Sequence, residues 1–228
     1  MSILTELAYK LIKLIRSPKL LFIKKRLGHC GKDVYISMPC RMSVPQNVFL
    51  GDYVLIQHNS SFVMNKGKVY MGKWASIAHN TTFITDNHVP TVGINHRMLG
   101  KLHVNDRVKD IHIGEECWVG AGVIMMSGTT MGRGSVAAAG AVVNKPIPPY
   151  AVVAGVPAKI IASVFTKEQI IEHEKCLYPE NERMSLQELD ELFNKYFEGK
   201  KSIGIEGMTD ADRKKAMELQ YMQEAIPQ

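Results

Sequence analysis

From residue 113 an aliphatic residue or methionine returns at every sixth position: IGEECW, VGAGVI, MMSGTT, MGRGSV, AAAGAV, VNKPIP, apart from an alanine at 137. The first positions are Ile113, Val119, Met125, Met131, Ala137 and Val143. The second is usually Gly or Ala. The fifth is small or branched: Cys117, Val123, Thr129, Ser135, Ala141 and Ile147. The same frame runs earlier, as LGDYVL and IQHNSS from Leu50 and as MGKWAS and IAHNTT from Met71. After Pro149 the frame shifts, and VAGVPA at 153–158 has the form of a closing turn.

An α-helix cannot carry this pattern, because six residues advance it by about 240° and scatter the repeat around its surface. A single long strand does not explain the recurring small residue at position two. A β-sandwich would show plain alternation with turn signals every ~8–12 residues, and neither is present. A chain that turns every six residues does fit. Three sixes make a triangular coil, with position-one side chains on the axis and successive coils about 4.8 Å apart. Gly or Ala at position two is expected to let the backbone turn beside its neighbours. The pattern predicts an all-β parallel β-helix over residues 31–162.

Between Phe83 and Ile111 the six-residue pattern stops, so residues 84–110 are predicted to leave the coil as an excursion. Long irregular loops in compact domains are usually functional. This one carries His88, His96 and His103, with Asp86, Arg97, Asp106 and Arg107. No histidine–carboxylate spacing in it repeats a metal-binding pattern. The three histidines could hold a metal only if the loop folded for it, and no metal is expected.

The ends differ from the middle. Leu4, Leu7, Ala8, Leu11, Leu14 and Ile15 share one helical face opposite Lys10, Lys13 and Glu6, which predicts a basic amphipathic helix within residues 1–30. Capping the open end of the coil is its favoured role, with contact to an anionic membrane surface as the second. Residues 163–228 are predicted helical. Thr166–Gln169 and Ser185–Glu188 fit capping boxes. Leu186, Leu189, Leu192 and Phe193 give the second helix an apolar face, a third is expected over 209–223, and Lys200–Gly207 is a plausible linker.

Composition narrows the class. The chain has 228 residues, 46% hydrophobic and 22% charged, with only 7% aromatic; this suits many small repeated contacts in a globular protein. Its +6 charge is concentrated: seven Lys and Arg lie within residues 1–26 against Glu6 alone. The balance is neutral, so nucleic-acid binding is not expected. Cys30, Cys40, Cys117 and Cys176 show no paired spacing and read as reduced thiols. No apolar run approaches the ~18–20 residues of a membrane span. Charges persist through the N-terminal apolar stretch, unlike a signal peptide, so the cytoplasm is the expected location.

The segment IGEECWVGAGVIMMSGTTMGRGSVAAAGAVVNKPIPPYAVVAGVPAKII resembles the C-terminal half of hexapeptide-repeat O-acyltransferases of the galactoside, maltose and capsular-sugar acetyltransferase type. The resemblance spans about Leu50 to Ile161, and VPAKII is among its most specific pieces. It implies a left-handed β-helix, a homotrimer, and acetyl-CoA held in a cleft between neighbouring subunits.

Acetyl transfer to a hydroxyl needs a base beside that hydroxyl and donors for the oxyanion, and histidine suits the first task. The family's catalytic histidine follows the strand that enters the loop, in a Thr-x-Asn-His or Thr-x-x-His stretch. Here that stretch is Thr85-Asp86-Asn87-His88, so the resemblance implies His88 as the base. Asn95-His96-Arg97 is the rival, since it resembles a stretch that holds the base in xenobiotic acetyltransferases. His96 lies further from the coil, and the Ser-Thr-Phe-Pro-Phe stretch of those enzymes is missing. His96 is therefore read as a substrate-side residue, with Asp86 (orienting His88 or capping the loop turn) and Asn87. Gln57 and Asn59, beside His58 on an earlier coil, are further candidates for acceptor contacts.

For the donor, the resemblance implies that Trp118 lines the pantetheine channel and that Ala121 and Ala139 offer backbone groups to its amides. It places Asn144 and Lys145 near the nucleotide and Lys159 near the phosphates. Asn144 replaces the usual Thr, and Ala162 stands where some relatives carry a second Arg. The implied activity is acetyl-CoA-dependent O-acetylation of a sugar or surface-polysaccharide precursor by direct attack, because no Ser or Cys sits in a recognisable nucleophile setting. N-acetylation of an amino sugar, acetylation of an antibiotic hydroxyl, and a non-catalytic trimeric scaffold are the alternatives.

Overall fold

The computed structural model describes residues 22–205 and, beyond them, 207, 209–212, 214–216 and 218. The amphipathic helix expected over 3–15 lies outside the described residues.

The strands come in rounds of three. The first round is β1 (His29–Cys30), β2 (Tyr35–Ile36) and β3 (Arg41–Met42). The second is β4 (Val48–Leu50), β5 (Leu55–Ile56) and β6 (Ser61–Val63), and the third is β7 (Val69–Met71), β8 (Ser76–Ile77) and β9 (Thr82–Ile84). An arm follows, made of β10 (Asp86–Asn87), α1 (His96–Leu102) and β11 (Arg107–Val108). The winding resumes with β12 (Ile111–Ile113), β13 (Trp118–Val119) and β14 (Ile124–Met125), then β15 (Thr130–Met131), β16 (Val136–Ala137) and β17 (Val142–Val143). It finishes with β18 (Ala151–Ala154) and β19 (Lys159–Ser163).

Outside the arm and through β17, successive strands visit three sheets of parallel strands in rotation, and β18 and β19 then both join the second. The first sheet orders β1-β4-β7-β12-β15 and the third β17-β14-β9-β6-β3, while the second runs β19-β18-β16-β13-β8-β5-β2. The register skips the arm: β7 pairs directly with β12, Met71 opposite Ile113. Like therefore stacks on like. Met42, Phe62 and Phe83 share a row, and the rings of Phe62 and Phe83 stack at 4.7 Å.

Both the first and fifth positions of the repeat point inward. Val119, Met125 and Ala137 are fully buried, as are Cys117, Val123, Thr129, Ser135 and Ala141. Each aliphatic side chain so buried contributes about 1.5–3 kcal/mol. Among the buried hydroxyls, Thr129 donates to the Met126 carbonyl and Ser60 to that of Gln57, while that of Ser127 finds no partner among the described residues.

The small residue at position two has another cause than the expected turning. A Cβ on Gly120 would lie 2.6 Å from the Ala139 nitrogen of the next round, so the restriction is close approach, at an ordinary φ. The turning is done at position four. Gly122 and Gly140 take positive φ at the second-to-third corner, where Asn59 and Asn80 do the same in earlier rounds. The first-to-second corner uses Asp33, Tyr53, Trp74, Glu116, Gly134 and Tyr150 alike. The third-to-first corner is irregular, and the arm leaves from it.

The contacts divide the chain after Ala162. In the second unit, α2 (Lys167–Leu177) and α3 (Leu186–Leu192) each start with a complete capping box, Thr166 with Gln169 and Ser185 with Glu188. Leu189, Leu192 and Phe197 are buried. Glu174 is also buried, and its carboxylate accepts from the Met184 amide at 2.6 Å. Residues 210–212, 214–216 and 218 are helical, with the Thr209 hydroxyl accepting from the Asp212 amide. The segment expected as a loose linker is tied down: Ser163 donates to Lys201, and Ile203 and Gly204 donate back to Ser163 and Val164. No described helix is long and apolar enough to cross a membrane.

Candidate active site

The arm is rooted at both ends. Thr85 is fully buried; its amide donates to Val63, and its carbonyl accepts from Lys109. Beyond it, β10 and β11 pair antiparallel, Asp86 opposite Val108 and Asn87 opposite Arg107. Two carboxylates, one from each end of the arm, clamp the same turn of the preceding round. Asp86 accepts from the amides of Asn65, Lys66 and Gly67, and Asp110 from that of Lys68. Burial pushes Asp86 up, but the Thr85 hydroxyl and those three amides outweigh it and hold the carboxyl below its usual range. Asp86 therefore caps a turn, and it is not the carboxylate that faces His88.

That carboxylate is Asp106. His88 Nδ1 lies 2.7 Å from one of its oxygens, and His103 Nδ1 lies 2.8 Å from the other. The two imidazole rings are 5.4 Å apart at centroid and tilted by 54°. Helix α1 makes this meeting. Asn95 caps its start by accepting from the Met98 amide at 3.0 Å, and Leu99 buries its inner face. It ends on His103, which takes a φ of 51°, and Asn105 two residues on takes 56°. Two such residues so close are uncommon outside glycine. They turn the chain so that Asp106 comes under both rings, while Asn105 donates to Thr91 across the arm.

The hydrogen bond from His88, then that from His103, holds the Asp106 carboxyl below the usual range. An ionised carboxylate can only accept, so each Nδ1 is the donor. The neutral imidazole of His88 then carries its lone pair on Nε2. The His88 side chain is 46% exposed, and a Cβ built on Gly100 would stand 3.7 Å from Nε2. The arrangement can accept a proton at Nε2 and hold the resulting imidazolium against Asp106.

The other candidates fall on different parts of the winding. His96 is the first residue of α1 and is exposed; its preceding Asn is a helix cap. Gln57 and Asn59 lie on the second-to-third corner, beside a stack of His58 on His79. Ala121 and Ala139 share that corner, and the Ala121 carbonyl accepts from Gly140. Trp118 stands on the second sheet with 58% of its surface exposed. Lys159 is exposed on β19 of the same sheet, and Ala162 is buried. Asn144 and Lys145, both exposed, follow β17 on the third-to-first corner, the one the arm leaves from. Within one chain, the residues assigned to the donor and acceptor are divided between the second-to-third corner, the second sheet, and the third-to-first corner with its arm.

His103 and Asp106, which the sequence places in the loop without a catalytic role, are brought to His88 by the fold. A groove of about 440 Å³ also runs along the first sheet, over stacked Phe49, Tyr70 and His112, and no residue of the arm lines it.

No family model matches the chain. An inferred acetyltransferase of Saccharomyces cerevisiae is 31% identical over 146 residues, which are 64% of this chain and 71% of that protein. Another, from Staphylococcus aureus, is 40% identical over 132 residues, or 58% of this chain; the match spans 63% of its length, less than two thirds. Among solved structures, a hexapeptide-repeat acetyltransferase from Vibrio cholerae, complexed with acetyl coenzyme A, gives a TM-score of 0.58 at 26% identity and covers 66% of this chain and 78% of its own. A galactoside acetyltransferase in complex with coenzyme A gives 0.56 at 26%, covering 72% and 75%. With a relative at 31% identity over more than two thirds of its length, and a solved hexapeptide-repeat acetyltransferase among its structural neighbours, the chain belongs to the hexapeptide-repeat acetyltransferases.

Proposed function

We propose that the protein is an acetyl-CoA-dependent O-acetyltransferase acting on a sugar hydroxyl, free or within a surface-polysaccharide precursor, with His88 as general base. The observation that carries this reading is the pairing of His88 Nδ1 with Asp106, which fixes the tautomer and leaves Nε2 as the acceptor. The acetyl-CoA and coenzyme A complexes of the Vibrio cholerae and galactoside enzymes support the donor; the galactoside enzyme's name supports a sugar acceptor.

In this mechanism His88 Nε2 takes the acceptor hydroxyl proton while the oxygen attacks the thioester carbonyl. The tetrahedral adduct collapses with cleavage of the carbon–sulfur bond. Coenzyme A leaves as the thiol, taking the proton from His88, and the ester remains on the sugar. Asp106 holds the imidazole in orientation and stabilises its charged form. A cysteine acyl-enzyme finds no support: burial pushes the Cys40 thiol up to about 12 and that of Cys117 to about 11, where the thiolate is scarce.

The winding is proposed to be a closed left-handed β-helix, and the working unit a homotrimer with sites between subunits. The division of the candidates between corners supports the latter. Gln57, Asn59, Trp118, Ala121 and Ala139 of one copy would face His88 and Lys145 of the next. Trp118 offers an open aromatic face to the pantetheine, and Lys145 and Lys159 offer cations to the phosphates.

Thermal shift with acetyl-CoA, followed by a screen for coenzyme A release over sugars, nucleotide-sugars and antibiotics, tests this reading. Stabilisation by acetyl-CoA and turnover on a saccharide are expected. No response to acetyl-CoA indicates a scaffold, and turnover confined to antibiotics or amino sugars moves the substrate class.

A further inference from the structure

The folding of the arm meets the condition that the spacing of its histidines left open. His88, His103 and Asp106 each bring a ligand atom to one place, all within 4.8 Å of one another. Zinc bonds of about 2.0–2.2 Å in tetrahedral geometry need ligand atoms about 3.3 Å apart. The two Nδ1–oxygen separations, 2.7 and 2.8 Å, are hydrogen bonds shorter than that spacing, so the three groups must open by about 0.5 Å to admit an ion. Two imidazoles and one carboxylate form a donor set suited to borderline divalent ions such as Zn²⁺. The half-exposed rings of His88 and His103 leave the cluster open to solvent for entry and for a water as fourth ligand.

We propose that His88, His103 and Asp106 form a binding site for a borderline divalent metal ion, represented by Zn²⁺, and that its occupation switches off His88 as a base. The second half follows from the tautomer and rests on the proposed role of His88. Without metal, Nδ1–H points at Asp106 and the lone pair is on Nε2. A metal ion needs the Nδ1 lone pair, so the ring proton must sit on Nε2 instead. The atom that would accept the hydroxyl proton then becomes a donor. No ring proton is lost from a neutral imidazole; it changes nitrogen, and Asp106 exchanges two hydrogen bonds for a metal bond. The metal is thus an inhibitor here, in a site whose catalysis needs none.

The test uses full-length protein and Zn²⁺ alone, titrated against a chromophoric chelator. One zinc per chain is expected, with affinity lowered about 10–100-fold in each of His103→Ala, Asp106→Asn and His88→Ala. In parallel, Zn²⁺ should lower acetyl transfer by the wild type and a chelator should restore it. The zinc concentration for half inhibition should rise at least tenfold in His103→Ala, measured against that variant's own metal-free rate. Circular dichroism confirms that each variant is folded. Unchanged affinity in all three variants, or no binding, overturns the site and leaves the base assignment standing. Zinc held by the three residues with undiminished turnover overturns the switch, and with it the role of His88.

Discussion

His88 Nδ1 and Asp106 Oδ1 stand 2.7 Å apart across eighteen positions of sequence, joined by a helix and by two non-glycine residues of positive φ, His103 and Asn105. The pair gives the imidazole one tautomer and one orientation. Asp106→Asn replaces an acceptor-only group with one that donates on one side, so one of the two histidines must lose its Nδ1 donor bond. Turnover is expected to fall about 100-fold or more with KM little changed, by analogy with the loss of the aspartate in other Asp–His pairs. An unchanged circular dichroism spectrum and melting temperature, with partial rescue in Asp106→Glu, separate this from misfolding.

The clamp at the root of the arm gives a stability prediction. The folded pKa of Asp86 is depressed below its ordinary value of 3.8. Its contribution is therefore fully present above that value and is lost as pH falls through the lower folded one. Asp86→Asn should lower the melting temperature at neutral pH and remove part of the difference between neutral and strongly acidic conditions. Melting curves at several pH values check this; parallel curves for wild type and variant would contradict it.

The two kinds of glycine should respond differently. Gly122→Ala meets open space but holds a φ of 68°, and should cost about 1 kcal/mol. Gly120→Ala has an ordinary φ but pushes a methyl against the backbone of the next round, and should cost about 1–3 kcal/mol or more. Denaturant midpoints rank them.

Thiol labelling checks the account of the cysteines. Cys176 is exposed, while Cys40 and Cys117 are buried with raised pKa values. Iodoacetamide at mildly alkaline pH should modify Cys176 first and leave Cys40 and Cys117 intact until the protein unfolds. Rapid labelling of Cys117 would reopen covalent catalysis.

What the sequence made legible was what repeats or acts locally. The inward rows at Ile113, Val119 and Met125 follow from period six, and the helix starts at Thr166 and Ser185 follow from capping boxes. The arm announced itself by interrupting the period. Its interior did not, because His103 and Asp106 reach His88 through backbone turns at His103 and Asn105 that carry no periodic signal. The one local clue is Asn95, whose cap in front of His96 marks a helix start, although the Asn95-His96-Arg97 stretch also resembles one that holds a base. Period alone also hid why position two is small, since close approach and a turning backbone both favour glycine.

His88, and not His96, is proposed to take the proton. The direct measurement is the rate of coenzyme A release by His88→Ala and His96→Ala on the same acceptor, with acetyl-CoA binding followed by thermal shift. A loss on the order of 10²–10⁴-fold is expected in His88→Ala with acetyl-CoA stabilisation retained, and a rate within a few-fold of wild type in His96→Ala. Near-normal turnover in His88→Ala together with its collapse in His96→Ala would contradict it.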